Sequence, residues 1–169
     1  MPDLGRHTQQ DDKVPLFDFD MYFLGKWTFE WDMPDGPLGP AGRTEGTTTY
    51  TGGGGKYEAV TEATGPTGPF TIRERIQYNK EQRTLTRDVV DSRGFKYSQT
   101  GTIGGDLGGL YTVYLESTPF MVDGRNVRLK HAMRLTAPLA YRVSITVAEG
   151  EGPFRNYGTP WWKKASPGQ

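Results

Sequence analysis

PFTIRERIQYNKEQRTLTRDVVDSRGFKYSQ, residues 69–99, alternates apolar and polar side chains with a period of two on both sides of a polar break. That is the pattern of strands that bury one face. A four-residue loop at 79–82 sets Tyr78 against Arg83, and the same pairing sets Ile76 against Leu85, Glu74 against Arg87 and Ile72 against Val89. The other face then carries Thr71, Arg73, Arg75 and Gln77 against Thr84, Thr86, Asp88 and Val90, a wetted surface. Glu74 and Arg87 therefore point inward. The next loop, 92–94, ends on a glycine suited to the left-handed position of a bulged hairpin. It sets Asp91 against Phe95, Val89 against Tyr97 and Arg87 against Gln99, so one inward row reads Glu74, Arg87, Gln99.

Outward from this hairpin the same period recurs about every ten residues, separated by Gly, Pro, Asn or Asp. The runs are 25–33, 43–51, 56–63, 69–78, 84–91, 95–103, 110–117, 126–136, 141–148 and a last one around 154–164. In the eighth, Val127, Leu129, His131, Met133 and Leu135 share a face, which puts His131 and Met133 on the apolar side. Short connections make neighbours pair antiparallel. A meander of this length removes its edges by closing, so the expected fold is all-β: a single antiparallel up-and-down barrel of about ten strands. A two-sheet sandwich is the competing arrangement. The apolar stretch VPLFDFDMYFL, 14–24, forms a short helical segment packed on the fold. Residues 1–14 read as a mobile arm, and 15–169 as one barrel domain.

Composition narrows the chemistry. Among 169 residues there are 23 Gly and 12 Pro, against a helical protein, and the 20 Thr suit sheet surfaces. Twenty basic and twenty acidic residues cancel, so no field draws in nucleic acid or an anionic membrane. No apolar run is long enough to span a bilayer and the first residues lack a signal-peptide core, giving the expectation of a cytoplasmic protein. The absence of Cys excludes thiolate chemistry and Cys-ligated metals, and two His make a multi-histidine metal centre improbable. The glycine runs at 52–55 and 104–109 read as hairpin loops, since neither has the pattern of a phosphate-binding loop. The loop at 35–40 is placed to cover a barrel mouth.

FLGKWTFEW, 23–31, with Gly25 two residues before Trp27 after a short apolar segment, resembles the start of the calycins, the lipocalin and fatty-acid-binding-protein superfamily. Together with the meander and the aromatic-basic ending YGTPWWKK, 157–164, the layout is similar to small bacterial lipocalin-like barrels over residues 15–164. The resemblance implies a closed barrel with an internal cavity, Trp27 closing its base and packing against a basic residue from the last strands, with Arg155 the candidate. Haem-binding relatives, the nitrobindins, carry a signature absent here, so no cofactor is expected, although His131 alone could serve as an axial ligand.

The inward polar residues suit two functions. In the first, a small, mainly apolar molecule sits in the barrel, its polar end held by Glu74, Arg87, Gln99 and His131, with Tyr97 and Met133 in the wall. In the second, a cofactor-independent isomerase, cyclase or lyase uses Glu74 or His131 to move a proton and Arg87 to stabilise an oxyanion. A barrel filled by its own aromatic side chains is the third reading. The expected partner is thus a small apolar molecule, with neither nucleic acid nor a membrane span, and a homodimer is left open.

Overall fold

The computed structural model describes residues 14–105 and 108–165. A five-residue helix, α1 (Phe19–Phe23), precedes twelve strands: β1 (Gly25–Met33), β2 (Gly42–Gly53), β3 (Lys56–Gly65), β4 (Gly68–Asn79), β5 (Thr84–Asp91), β6 (Lys96–Gly105), β7 (Tyr111–Ser117), β8 (Phe120–Val122), β9 (Arg125–Ala137), β10 (Ala140–Glu149), β11 (Arg155–Asn156) and β12 (Trp161–Lys164). All belong to one sheet. β1 through β7 pair in chain order, β7 pairs with β9, β9 with β10, β10 with β12, and β12 returns to β1. The result is a closed antiparallel meander barrel of ten strands.

The two short strands refine the expected layout. β8 lies beside β9 next to β7, and β11 lies beside β10 next to β12, so each completes a broken lane. The run expected around 154–164 is interrupted at 157–160, where Gly158 takes φ +95° and Pro160 has no N–H to give. It stays attached because Tyr157 N–H donates to the Ile145 carbonyl and Ile145 N–H to the Gly158 carbonyl. β8 is too short to show a period. Its turn is nonetheless written in the sequence, because Asp123 and Gly124 have φ +50° and +80°, the pair of left-handed residues of a type I′ hairpin.

The strand directions place α1, the ends of β1 and β12 and the loops at 54–55 and 80–83 at one end of the barrel. That end is closed by rings. Phe19 stacks on Tyr57 with centroids 4.0 Å apart, and Phe23 packs against Trp27, Tyr50 and Tyr141. Tyr hydroxyls tie the crossing segment down: Tyr78 donates to the Phe17 carbonyl and Tyr111 to that of Pro15, both at 2.7 Å. Val14, at the boundary of the expected arm, is buried; the rest of that arm lies outside the described residues. Asp18 caps α1 by accepting from Met21 N–H.

Trp27 is fully buried, its Nε1–H donating to the Phe23 carbonyl at 2.9 Å. Its basic neighbour is Lys164, whose Nζ lies 4.9 Å from the ring centroid while donating to the Tyr22 and Leu24 carbonyls. Arg155 does not fill that role. It sits at the opposite end with Glu149 and the Asp35 carbonyl, because β11 and β12 occupy opposite ends of their lane. Trp27→Ala removes the centre of the closed end and is expected to destabilise the protein by about 3–5 kcal/mol. Equilibrium denaturation checks this, and a loss below about 1 kcal/mol would make the residue peripheral.

Candidate functional site

Glu74 on β4, Arg87 on β5, Gln99 on β6 and His131 on β9 form one contiguous network inside the barrel. Arg87 Nη1 lies 2.8 Å from Glu74 Oε1, Nε donates to Gln99 Oε1 at 2.5 Å, and Nη2 lies 3.1 Å from His131 Nδ1. Gln99 Nε2 reaches the same His131 Nδ1 at 2.6 Å. Arg87 with Gln99, and Val89 with Tyr97, pair as the sequence suggested.

The β4–β5 register differs from expectation by two residues. Glu74 pairs with Val89, Ile76 with Arg87 and Asn79 with Thr84, so the loop is 80–83 instead of 79–82. Asn79 Oδ1 accepts from Gln82 N–H, and Arg83 adopts φ +56°, completing a turn one residue later than the pattern indicated. An even slip leaves every side chain on its face. Glu74 and Arg87 become diagonal neighbours, and their long side chains span that separation.

The network fixes the state of His131. Gln99 Nε2 and the Arg87 guanidinium are both donors, so Nδ1 supplies a lone pair and the ring proton sits on Nε2. Nε2 makes no hydrogen bond among the described residues. Burial, reinforced by the Arg87 charge, pushes the imidazole well below its ordinary pKa of 6.5. Beside the network the Tyr50 and Tyr141 hydroxyls bond each other at 2.8 Å. Burial raises both phenols well above 10 and keeps them neutral.

This layer divides the interior. Beneath it the closed end leaves a void of only about 10 Å³, touching Tyr50, Arg87 and Met133. Above it lies a cavity of about 110 Å³ with aromatic walls that include Phe29, Phe70, Tyr97 and Trp162. Glu74, Arg87, His131, Tyr97 and Met133 all line it, whereas Gln99 is buried behind Arg87 and His131 and positions them. At the far end Leu38, from the 34–41 loop, reaches the cavity, and its N–H is held by the Tyr157 hydroxyl at 3.1 Å.

Three features escaped the sequence reading. Asp91 and Arg93 form a two-contact ion pair at 3.0 and 2.7 Å beside the cavity, the guanidinium 3.6 Å above the Phe70 ring. The inward parity of Asp91 with Val89 was the available signal. The Tyr50–Tyr141 pair joins strands remote in sequence, and Thr44 lines the cavity from β2. Neither leaves a local trace.

No family model matches the sequence, and no curated protein matches it. Solved structures do. A crystal structure of Rv2717c from M. tuberculosis superposes with a TM-score of 0.69 at 10% identity, over 85% of this chain and 93% of that one. A de novo designed fluorescence-activating β-barrel gives 0.50 at 13% identity, over 89% and 100%. The likeness is one of fold. The shared fold is an antiparallel β-barrel, and among the described residues no helix is long and apolar enough to cross a membrane.

Two outcomes test the layer. Removing one member of the Glu74–Arg87 pair leaves a buried charge and is expected to cost about 3–5 kcal/mol, while Glu74→Gln with Arg87→Met together restores most of it. Coupling under about 0.5 kcal/mol in that double-mutant cycle would show that the two do not meet in solution. For His131 the folded pKa lies below the unfolded 6.5. Its contribution is therefore complete above pH 6.5 and lost as pH falls, because the unfolded chain takes up a proton that the folded chain refuses. Stability should fall from pH 6.5 towards 5 with a slope of up to about 1.4 kcal/mol per pH unit, and His131→Gln should flatten it. An equal slope in wild type and variant would contradict the neutral imidazole.

Proposed function

We propose that the protein is a carrier that holds a small, mainly apolar molecule in the upper half of a calycin-like barrel, anchored on the Glu74–Arg87–Gln99–His131 layer. The observation that carries this reading is the division of the interior: aromatic side chains fill one half, while the other keeps an aromatic-walled cavity with a polar floor. Such a site orients a ligand by one polar end and holds the rest by contact. The protonation pattern favours binding over proton transfer. His131 offers the cavity an N–H and not a lone pair, so it is a donor to a ligand oxygen and a poor base. Arg87 already faces the Glu74 carboxylate, which opposes a developing oxyanion at the same guanidinium.

Haem is not the ligand in this reading. A cavity of about 110 Å³ falls below the roughly 300–1,000 Å³ of pockets for drug-sized molecules, and a porphyrin would have to displace the aromatic walls.

Native mass spectrometry of the full chain, freshly purified and after incubation with single-ring aromatic compounds, is the test. Retention or uptake of one small molecule per chain is expected, and Ile72→Trp, which fills the cavity from β4, should abolish it with the fold intact by circular dichroism. Absence of uptake in the wild-type protein would remove the carrier reading. So would a sharp Soret band on adding haem that His131→Ala abolishes, since that requires an interior of another size.

A further inference from the structure

The cavity also restricts the chemistry of its ligand, an inference that rests on the carrier reading. One restriction is charge. Two acidic and two basic side chains line the cavity, and each is paired with its opposite: Glu74 with Arg87 at the floor, Asp91 with Arg93 further out. His131 adds no charge, because its Nδ1 already accepts from Gln99 and Arg87. A carboxylate entering this space would meet no unpaired cation and would lie near Glu74 or Asp91. Its lost hydration would go uncompensated. A neutral oxygen suffers no such penalty and finds the His131 Nε2–H.

The other restriction is Thr44. This residue is 1% exposed and lines the cavity, and its Oγ1 is the one buried side-chain polar atom without a hydrogen-bond partner among the described residues. The contrast on the same strand is informative. Thr48, two inward positions further down, bonds Thr61 Oγ1 at 2.8 Å and accepts from Trp162 Nε1 at 3.1 Å. A glycine stands beside Thr44: a Cβ on Gly65 would come within 3.0 Å of Oγ1. The Thr44 hydroxyl therefore borders the cavity without a partner, whereas Thr48 on the same strand has two.

Size completes the description. The cavity of about 110 Å³ approaches the roughly 150 Å³ of an engineered apolar cavity that takes up benzene. It accommodates about one ring. We propose that the ligand is an uncharged aryl compound whose oxygen substituents meet the Thr44 hydroxyl and the His131 Nε2–H, and that carboxylates, aliphatic or aromatic, are rejected.

The probes are 4-hydroxyacetophenone, 4-hydroxybenzoate and decanoate, titrated into the full chain at about pH 6.5 and read by tryptophan fluorescence and calorimetry. The neutral ketone is expected to bind at least about tenfold more tightly than the benzoate. Thr44→Val should weaken the ketone about fivefold to tenfold. In the ligand-free protein the same variant should leave the melting temperature unchanged or raised, since it deletes an unpaired buried hydroxyl. Loss of affinity without loss of stability is the signature of a ligand contact. Equal or tighter binding of 4-hydroxybenzoate overturns the charge argument. Unchanged ketone affinity in Thr44→Val, or a lowered melting temperature, overturns the role of Thr44 and makes its partner a structural water. Decanoate binding alone defeats this inference and leaves the carrier reading standing. Failure of all three probes to bind defeats both.

Discussion

Arg87 carries a full charge inside a closed barrel, where its polar groups must find partners within the protein. Its guanidinium reaches Glu74, Gln99 and His131, so four side chains from β4, β5, β6 and β9 have to face inward at compatible heights. A one-residue slip in any of these strands would turn one of the four to solvent and leave the others short of a partner. β9 is separated from β6 by β7 in the sheet, so the His131 contacts tie strands that backbone hydrogen bonding does not join. The layer also divides the interior, with the cavity of about 110 Å³ on one side and a void of about 10 Å³ on the other.

The closed end is filled by the chain's own side chains. Phe17, Phe19 and Phe23 come from the segment that crosses the barrel, and the Tyr78 and Tyr111 hydroxyls bind its carbonyls. Lys164 closes the circuit from the last strand by capping the carbonyls of Tyr22 and Leu24. A helix of five residues is not stable alone; α1 persists because its Phe side chains are part of the core and its N-terminus is capped by Asp18. The opposite end is covered by loops, one of which is held by Leu38 N–H on the Tyr157 hydroxyl and by Arg155 on the Asp35 carbonyl.

Period two carried most of the fold, and its robustness has a simple cause. Side-chain facing depends on parity, so the two-residue error at 79–83 left the inward set Ile72, Glu74, Ile76 and Arg87, Val89 unchanged while displacing every pairing. Turn chemistry was less legible. The left-handed Arg83 is not a residue that advertises that conformation, whereas Asp123-Gly124 does and marks β8 although the strand is too short for a period. The interrupted lane at 157–160 and the choice of Lys164 over Arg155 depend on which part of the last strand reaches which end of the barrel, a property of closure. In the site, parity named Glu74, Arg87, Gln99 and His131. It could not name Thr44 or the Tyr50–Tyr141 pair, whose significance lies in having, or lacking, a partner across the barrel.

A structural role alone is a weak account of the polar layer. Well-packed apolar residues of similar volume often match or exceed a buried ion pair in stability, so a barrel selected only for rigidity gains little from Glu74 and Arg87. The position of the unspent hydrogen-bonding capacity points the same way. In the closed half the Tyr50, Tyr78 and Tyr141 hydroxyls have partners, while among the described residues Thr44 Oγ1, His131 Nε2 and the Tyr97 hydroxyl, which make no hydrogen bond, belong to residues that line the cavity. Unpartnered polar groups gathered along one cavity, beside a closed half whose hydroxyls are paired, are departures from local satisfaction of the kind that functional sites carry, and they support the proposed carrier reading.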